Sequence, residues 1–171
     1  MFVDEAGVNR KMTRRYARAP RAQRAVGYAP AGWGKNTTLT GAMTEGGLVV
    51  LDRRVGGGTT TVRFLAFVTE VLCPALRPGQ VVVLDNLSAH KGPEVRAAIE
   101  AVGCRVLFVP PYSPEYNAIE KLWSKLKACL RRIGARTQEA LDEAITEAAQ
   151  TITATDAANW IRGAGYILAP T

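Results

Sequence analysis

Residues 81–85 read Val-Val-Val-Leu-Asp, a run of four apolar residues that ends in a carboxylate. Strands buried on both faces of an α/β sheet have such unbroken apolar runs, whereas half-exposed strands alternate apolar and polar residues. In these sheets, the groups that bind ligands lie just beyond the carboxyl ends of the strands. The stretch therefore predicts a buried strand at 81–84 and a candidate functional acid at Asp85.

The flanking sequence predicts further strands and helices on both sides of this strand. They are a short strand at 2–4, strands at 37–43 and 48–51 joined by a turn at 45–47, helices at 62–72 and 93–102, a strand at 105–109, and helices at 116–132, 137–151 and 156–162. The first three strands predict an antiparallel set, and alternating helices and strands follow them. Because no repeat, low-complexity tract or long linker interrupts this order, we expect one compact α/β domain over residues 1–171.

The chain is basic, with 22 Lys and Arg against 15 Asp and Glu, a net charge of +7 and a pI near 9.7. That balance favours a polyanionic partner, most often nucleic acid. Two groups carry much of the charge: Arg10, Lys11, Arg14, Arg15, Arg18, Arg21 and Arg24 in a segment without acids, and Lys121, Lys125, Lys127, Arg131 and Arg132 on the helix predicted from 116. The alternative for either group is a solvated face of the protein.

Other features exclude several function classes. The three cysteines lack the spacing of a zinc site or a disulfide framework, which favours reduced thiols and a cytoplasmic location. No apolar run approaches the roughly 18 residues of a membrane-spanning helix.

Two motifs of catalytic or nucleotide-binding proteins are incomplete. The segment around Gly32–Thr38 is not a phosphate-binding loop, because that pattern needs glycine in place of Ala29 and serine or threonine in place of Asn36. His90 is the only histidine, with no nucleophile motif beside it, and a local hydrogen-bonding or phosphate-facing role is favoured.

Three acids stand where a catalytic site of such a sheet would lie. Asp4 ends the first predicted strand, Asp85 ends the buried strand, and Glu120 lies roughly one turn into a helix whose apolar stripe packs on the sheet. Taken singly, each has a local alternative, as a turn residue or as a charge near a helix N-terminus. Together they fit Mg²⁺, which takes oxygen ligands and shares carboxylates with substrate phosphates. Two such ions about 4 Å apart can promote phosphodiester displacement.

Three blocks of the sequence resemble the acid-bearing blocks of DDE transposases. They are FVDEAGVN at 2–9, VVVLDNLSAHK at 81–91 and PPYSPEYNAIEKLWSKLK at 110–127. The resemblance is to the mariner-like superfamily and specifically to the bacterial insertion sequence 630 family. Between Asp85 and Glu120 lie 34 residues, the spacing that this family uses. Ala118 departs from the pattern, since the family usually has proline there.

The resemblance implies a ribonuclease H-like, retroviral integrase-like fold, with a mixed five-stranded sheet flanked by helices. It implies that Asp4, Asp85 and Glu120 are the catalytic residues and the ligands of two Mg²⁺ ions, for which Mn²⁺ can substitute. The implied reaction is cleavage at the terminal inverted repeats of a transposon and joining of the freed 3′-hydroxyl to target DNA. The implied state is a homodimer on these DNAs, associated with the nucleoid in the bacterial cytoplasm.

The residues expected to bind DNA belong to the basic groups or lie close to an acid of the site. They are Arg14, Arg15, Arg18, Arg21, His90, Lys91, Lys121 and Lys125. The resemblance also implies a helix-turn-helix domain ahead of the first acid, and no region of this sequence has that pattern. We therefore expect either the downstream part of a two-part gene, served by a separate helix-turn-helix chain, or a truncated transposase.

Two other functions stay open on the sequence alone. One is a ribonuclease H-like nuclease or resolvase, which would cleave DNA without joining strands. The other is a non-catalytic remnant that keeps the fold and the charge and binds DNA or dimerises. Cleavage and joining assays separate all three.

Overall fold

The computed structural model describes residues 1–32 and 34–168, so Trp33 and residues 169–171 of the expected domain lie outside the described part. Its centre is a five-stranded sheet with the order β3-β2-β1-β4-β5. The strands are β1 (Phe2–Val8), β2 (Thr37–Thr44), β3 (Gly47–Val55), β4 (Val81–Leu84) and β5 (Arg105–Phe108). β1, β2 and β3 are antiparallel neighbours, whereas β4 runs parallel to β1 and β5 parallel to β4. The predicted mixed sheet is confirmed.

Five α-helices cover the sheet in the described residues. They are α1 (Thr61–Phe67), α2 (Pro93–Ala101), α3 (Ile119–Ile133), α4 (Gln138–Gln150) and α5 (Ala154–Gly163). One buried apolar cluster joins the sheet to α3, α4 and α5, and a second joins it to α1 and α2. Phe2 and Ala6 belong to the first cluster and Val3 to the second, so the clusters lie on opposite faces of the sheet. No described helix is long and apolar enough to cross a membrane.

β1 is longer than the sequence predicted, and Asp4 lies inside it rather than at its end. The antiparallel pairing with β2 runs from Phe2 to Val8. On its other edge, β1 pairs with β4 only at Phe2, opposite Val83. The acid at position 4 suggested a strand end, but β2 supplies ladder partners for four further residues. Asp4 therefore lies just past the parallel pairing, although it remains within a strand.

The start of α3 also differs from the prediction. Residues Pro114–Tyr116 form a 3₁₀ turn, and Asn117 is extended, with φ −95° and ψ 91°. α3 begins only at Ile119, so Glu120 is its second residue rather than one turn inside it. The backbone N–H of Glu120 donates to the carbonyl of Asn117 at 3.1 Å. The extended Asn117 separates the turn from the helix and brings Glu120 close to the helix N-terminus.

Candidate active site

The sheet register places Asp4 and Asp85 side by side. Phe2 of β1 lies opposite Val83 of β4, and two residues further along these parallel strands stand Asp4 and Asp85. α3 crosses the same end of the sheet, where the indole N–H of Trp123 donates to Oδ2 of Asp4 at 3.2 Å. Glu120 precedes Trp123 by three residues, which places both on one side of the helix. The fold therefore brings the three predicted acids to one end of the sheet.

A glycine makes room for the Trp123 contact. Gly41 of β2 lies directly opposite Asp4 in the antiparallel pairing. A Cβ atom at position 41 would lie 2.9 Å from Cη2 of Trp123, closer than real Cβ atoms approach other atoms. The indole ring therefore packs against a part of β2 that has no side chain. This close approach lets α3 lie near β1 while its tryptophan reaches Asp4.

Asp4 is a buried acid in a negatively charged environment. Its exposed fraction is 6%. Burial raises its pKa most, a backbone hydrogen bond at Glu5 opposes this, and the charges of Glu120, Glu5 and Asp85 raise the pKa further, to about 7. Three carboxylates thus act on a fourth that is shielded from water. The site has an excess of negative charge that a bound cation would relieve.

His90 joins Asp85 to a fourth acid, Glu5. Nδ1 of His90 lies 2.5 Å from Oδ1 of Asp85, within ion-pair distance but without the direction of a hydrogen bond. Nε2 of His90 lies 2.9 Å from Oε2 of Glu5. Phe64 packs on the imidazole, with 4.1 Å between ring centroids. Burial by itself lowers the pKa of His90, but the two acids outweigh it and raise that pKa to about 9. His90 is therefore a buried cation between two carboxylates at neutral pH.

The expectation that His90 contacts DNA is wrong for this structure, because its exposed fraction is 0%. Glu5 was not predicted as a site residue, although its place beside Asp4 in the sequence is a signal for it. Successive side chains of a strand point to opposite faces, so Asp4 faces Trp123 while Glu5 faces His90. Through these contacts Glu5 holds His90, and His90 in turn holds Asp85, so both are positioning residues.

Asp85 is oriented by its own loop as well as by His90. Oδ1 of Asp85 accepts a hydrogen bond from the backbone N–H of Leu87 at 2.8 Å. Partial burial opposes ionisation of Asp85, but the contacts with His90 and Leu87 and the charge of Lys91 outweigh it and lower the pKa of Asp85. Asp85 is therefore an ionised carboxylate with one oxygen fixed at the end of β4.

The other predicted DNA-binding residues have different surroundings. Arg14, Arg15, Arg18 and Arg21 are exposed in the irregular connection between β1 and β2. Lys91 and Lys121 are exposed beside the acids and line two neighbouring clefts. Lys125 also has a structural role, and its contact with DNA stays a prediction. Its Nζ lies 2.6 Å from Oδ2 of Asp156 and donates to the carbonyl of Thr151 at 2.8 Å, so it links α3 to the start of α5.

The donor chemistry of the site fits a divalent cation. Carboxylate oxygens are the ligands that Mg²⁺ prefers. The raised pKa of Asp4 reflects first its burial and then the negative charges of Glu120, Glu5 and Asp85. Within the described residues, no three His, Cys, Asp or Glu side chains converge closely enough to hold one ion. The acids are therefore gathered at one end of the sheet but are not arranged around a common centre in this conformation.

Comparisons with known proteins give the family and the fold. The family model for DDE superfamily endonucleases matches residues 1–142. No sequence among the curated proteins matches the chain. Among solved structures, the Mos1 transposase paired-end complex with left transposon end is similar with a TM-score of 0.76 and 20% identity, over 94% of this chain and 50% of that chain. The Mos1 strand transfer complex is similar with a TM-score of 0.73 and 20% identity, over 94% of this chain and 50% of that chain.

The catalytic domain of Mos1 mariner transposase gives a TM-score of 0.62 and 18% identity, over 96% of this chain and 75% of that chain. These likenesses confirm the expected ribonuclease H-like fold. The chain spans about half the length of the chains in the two Mos1 complexes. The match to the family model covers most of the sequence, including Asp4, Asp85 and Glu120. The chain therefore belongs to the DDE superfamily of endonucleases.

Proposed function

We propose that residues 1–171 are the catalytic domain of a transposase that cuts the ends of a transposon and joins them to target DNA. The observation that carries this proposal is the meeting of Asp4, Asp85 and Glu120 at one end of the sheet, in a chain of net charge +7. Within the superfamily, we propose the bacterial insertion sequence 630 family. The support is the three sequence blocks and the 34 residues between the second and third acids.

In this mechanism Asp4, Asp85 and Glu120 would hold two Mg²⁺ ions, or Mn²⁺ in their place. When bound, such a pair activates the attacking oxygen and stabilises the leaving oxygen in phosphodiester displacement. Trp123 positions Asp4 through its indole N–H, and Leu87 and His90 fix Oδ1 of Asp85. The exposed ammonium groups of Lys91 and Lys121 bind phosphates on either side of the acids.

The proposed partners are transposon terminal repeats, target DNA and a second copy of the chain. Recognition of the terminal repeats is assigned to a helix-turn-helix domain outside residues 1–171, because no stretch of these residues has that pattern. The proposed location is the bacterial cytoplasm, at the nucleoid. Support for DNA as substrate comes from the basic charge and from the likeness to Mos1 complexes that contain transposon DNA.

Nicking of supercoiled plasmid tests this function. We expect nicked circles with Mg²⁺ or Mn²⁺ and none with EDTA, because the carboxylates need a cation to act on a phosphodiester. A second reaction supplies an oligonucleotide with a free 3′-hydroxyl and measures its joining to the plasmid. Cleavage without joining would favour the nuclease alternative. Absence of both activities with either metal, even with a helix-turn-helix domain supplied, would favour the non-catalytic remnant.

The basic segment gives a separate prediction about affinity. Replacing Arg14, Arg15, Arg18 and Arg21 with glutamine should weaken DNA binding and reduce its salt dependence. The slope of log K against log salt should become shallower by about 0.9 for each replaced arginine that neutralises a phosphate in the parent. The measurement is a titration of duplex DNA by fluorescence anisotropy at several salt concentrations.

The matched control removes the same charge elsewhere on the surface. Arg54, Arg96, Arg105 and Arg162 are exposed on β3, α2, β5 and α5. Their replacement with glutamine lowers the net charge equally but leaves the segment between β1 and β2 intact. Equal slopes for the two quadruple variants would mean that DNA binding depends on net charge and not on this segment.

A further inference from the structure

Two clefts meet at Glu120. The Tyr112 cleft has a volume of about 490 Å³ and is lined by Asp85, Lys91 and Tyr112, among others. The Trp160 cleft has a volume of about 620 Å³ and is lined by Lys121, Asn159 and Trp160, among others, between α3 and α5. Pro114, Asn117 and Glu120 line both clefts. Together the clefts form a path that passes the acids on both sides, with a lysine and an aromatic ring along each half.

The conformation of Tyr112 is costly and brings no packing within the chain. Its side chain is fully exposed, and its φ of 58° lies in the left-handed region that residues other than glycine rarely adopt. Such strain is characteristic of functional loops. An exposed aromatic ring beside a phosphodiester-cleaving site offers a face on which a nucleobase can stack. Lys91 in the same cleft supplies positive charge for the phosphate of that nucleotide.

Asn117 provides an independent sign of a ligand. Its exposed fraction is 4%, and its Oδ1 has no hydrogen-bond partner within the described residues. Buried acceptors are almost always paired, because leaving one unpaired costs free energy. Asn117 lies where the two clefts join, next to the turn that leads into α3. An N–H group of a nucleobase bound there would satisfy this oxygen.

We propose that the two clefts hold unpaired nucleotides on either side of the phosphodiester that is cut, with Tyr112 as the base-stacking residue of one cleft. The inference rests on the proposed function, since it places that phosphodiester beside Glu120. The occupant is single-stranded DNA, because a base shows its face to a side chain only when it leaves its own stack. The lysine in each cleft complements the charge of this strand, and the polar Asn117 complements the base edges.

Binding of a single-stranded oligonucleotide with 2-aminopurine in place of adenine tests the inference. Ca²⁺ replaces Mg²⁺ so that binding is measured without turnover. We expect the parent chain to quench the 2-aminopurine fluorescence through stacking on Tyr112. Tyr112→Ala should remove the quench and weaken binding about tenfold. Tyr112→Phe, which keeps the ring, should retain both, and fully paired duplex of the same sequence should bind Tyr112→Ala as tightly as the parent.

Each outcome decides the inference. Because the Tyr112 side chain is fully exposed, both variants should melt as the parent does, so a change in binding reports the cleft and not the fold. Unchanged affinity and fluorescence quench in Tyr112→Ala would overturn the inference. So would a loss of affinity and quench in Tyr112→Phe, which keeps the ring. Failure of the parent to bind single strands would also overturn it. Plasmid nicking by the parent judges the proposed function separately. If the parent nicks plasmid but Tyr112→Ala quenches the 2-aminopurine fluorescence as the parent does, the proposed nucleotide clefts are wrong and the proposed function still stands.

Discussion

Asp85→Asn and Glu120→Gln are each expected to slow metal-dependent nicking of supercoiled plasmid by about 100- to 1,000-fold. This is the usual effect of removing one group that stabilises developing charge in a transition state. Both substitutions keep the shape of the side chain and remove its negative charge. Glu120 is exposed and Asp85 is half-buried, so the chemistry should be affected far more than the packing. The measurement is the initial rate of nicking with Mg²⁺ and with Mn²⁺.

Glu100→Gln provides the matched control for these two variants. Glu100 is exposed on α2 and pairs with Arg96 at 3.3 Å, and the clefts that contain Asp85 and Glu120 do not include it. Its removal changes the net charge equally and should leave the nicking rate unaltered. If either catalytic-site variant nicked as fast as Glu100→Gln, that acid would not belong to the catalytic set. Thermal melts of the three variants show whether a slower rate reflects impaired folding.

Asp4→Asn is expected to stabilise the metal-free protein at alkaline pH. In the folded chain the pKa of Asp4 is about 7, against an ordinary value of 3.8. Between these values the folded state holds a proton that the unfolded state has released, so stability falls as the pH rises from about 4 to about 7. At pH 8 Asp4 is ionised in both states, and the free-energy cost of ionising it in the folded state, roughly 4 kcal/mol, opposes folding. Asparagine avoids this cost and keeps an oxygen that accepts the N–H of Trp123.

Chemical denaturation in EDTA at pH 8 should therefore give Asp4→Asn a higher free energy of unfolding than the parent. The expected rise in melting temperature is on the order of 10 °C. Glu147→Gln, which removes an exposed acid of α4, should stay within about 0.5 kcal/mol of the parent. Lower stability of Asp4→Asn than of the parent at pH 8 would contradict the raised pKa of Asp4.

The pH profile separates Asp4 from His90. The pKa of His90 is about 9, above its ordinary value of 6.5. A raised histidine pKa contributes stability that is complete below pH 6.5 and disappears as the pH rises towards 9. Asp4→Asn should remove the fall between about pH 4 and 7 and leave the fall between about pH 6.5 and 9. Addition of Mg²⁺ should raise the melting temperature of the parent more than that of Asp4→Asn, because ligands that bind the folded state stabilise it.

Local sequence patterns were sufficient to predict most of the fold. The apolar run at 81–84 predicted β4 without error. The apolar stripe predicted on the helix of Glu120 is the buried side of α3, where Leu122, Trp123 and Leu126 lie. These signals are strong because burial on the two faces of a sheet, or on one side of a helix, leaves a simple periodicity. The gathering of Asp4, Asp85 and Glu120 at one end of the sheet followed from their predicted places at two strand ends and near the start of a helix, together with the resemblance.

Long-range pairing escaped the sequence patterns. His90 contacts Glu5 across 85 positions, and Lys125 contacts Asp156 across 31. No local periodicity identifies such partners, because they depend on which elements become neighbours in the folded chain. The end of β1 was misplaced for a similar reason, since its last residues are held by β2. His90 was wrongly assigned as a DNA contact because a polar residue that appeared available in the sequence already had partners within the fold.

The close contact between Gly41 and the Trp123 ring makes substitutions at positions 41 and 123 depend on each other. Even an alanine at position 41 would displace the Trp123 ring and, with it, the donor that holds Asp4. A smaller side chain at position 123 would leave a gap over Gly41 and the same acid without its donor. Either substitution alone is therefore harmful, whereas a larger residue at position 41 combined with a smaller one at position 123 can restore the packing between β2 and α3. We expect homologous chains to vary at these two positions jointly.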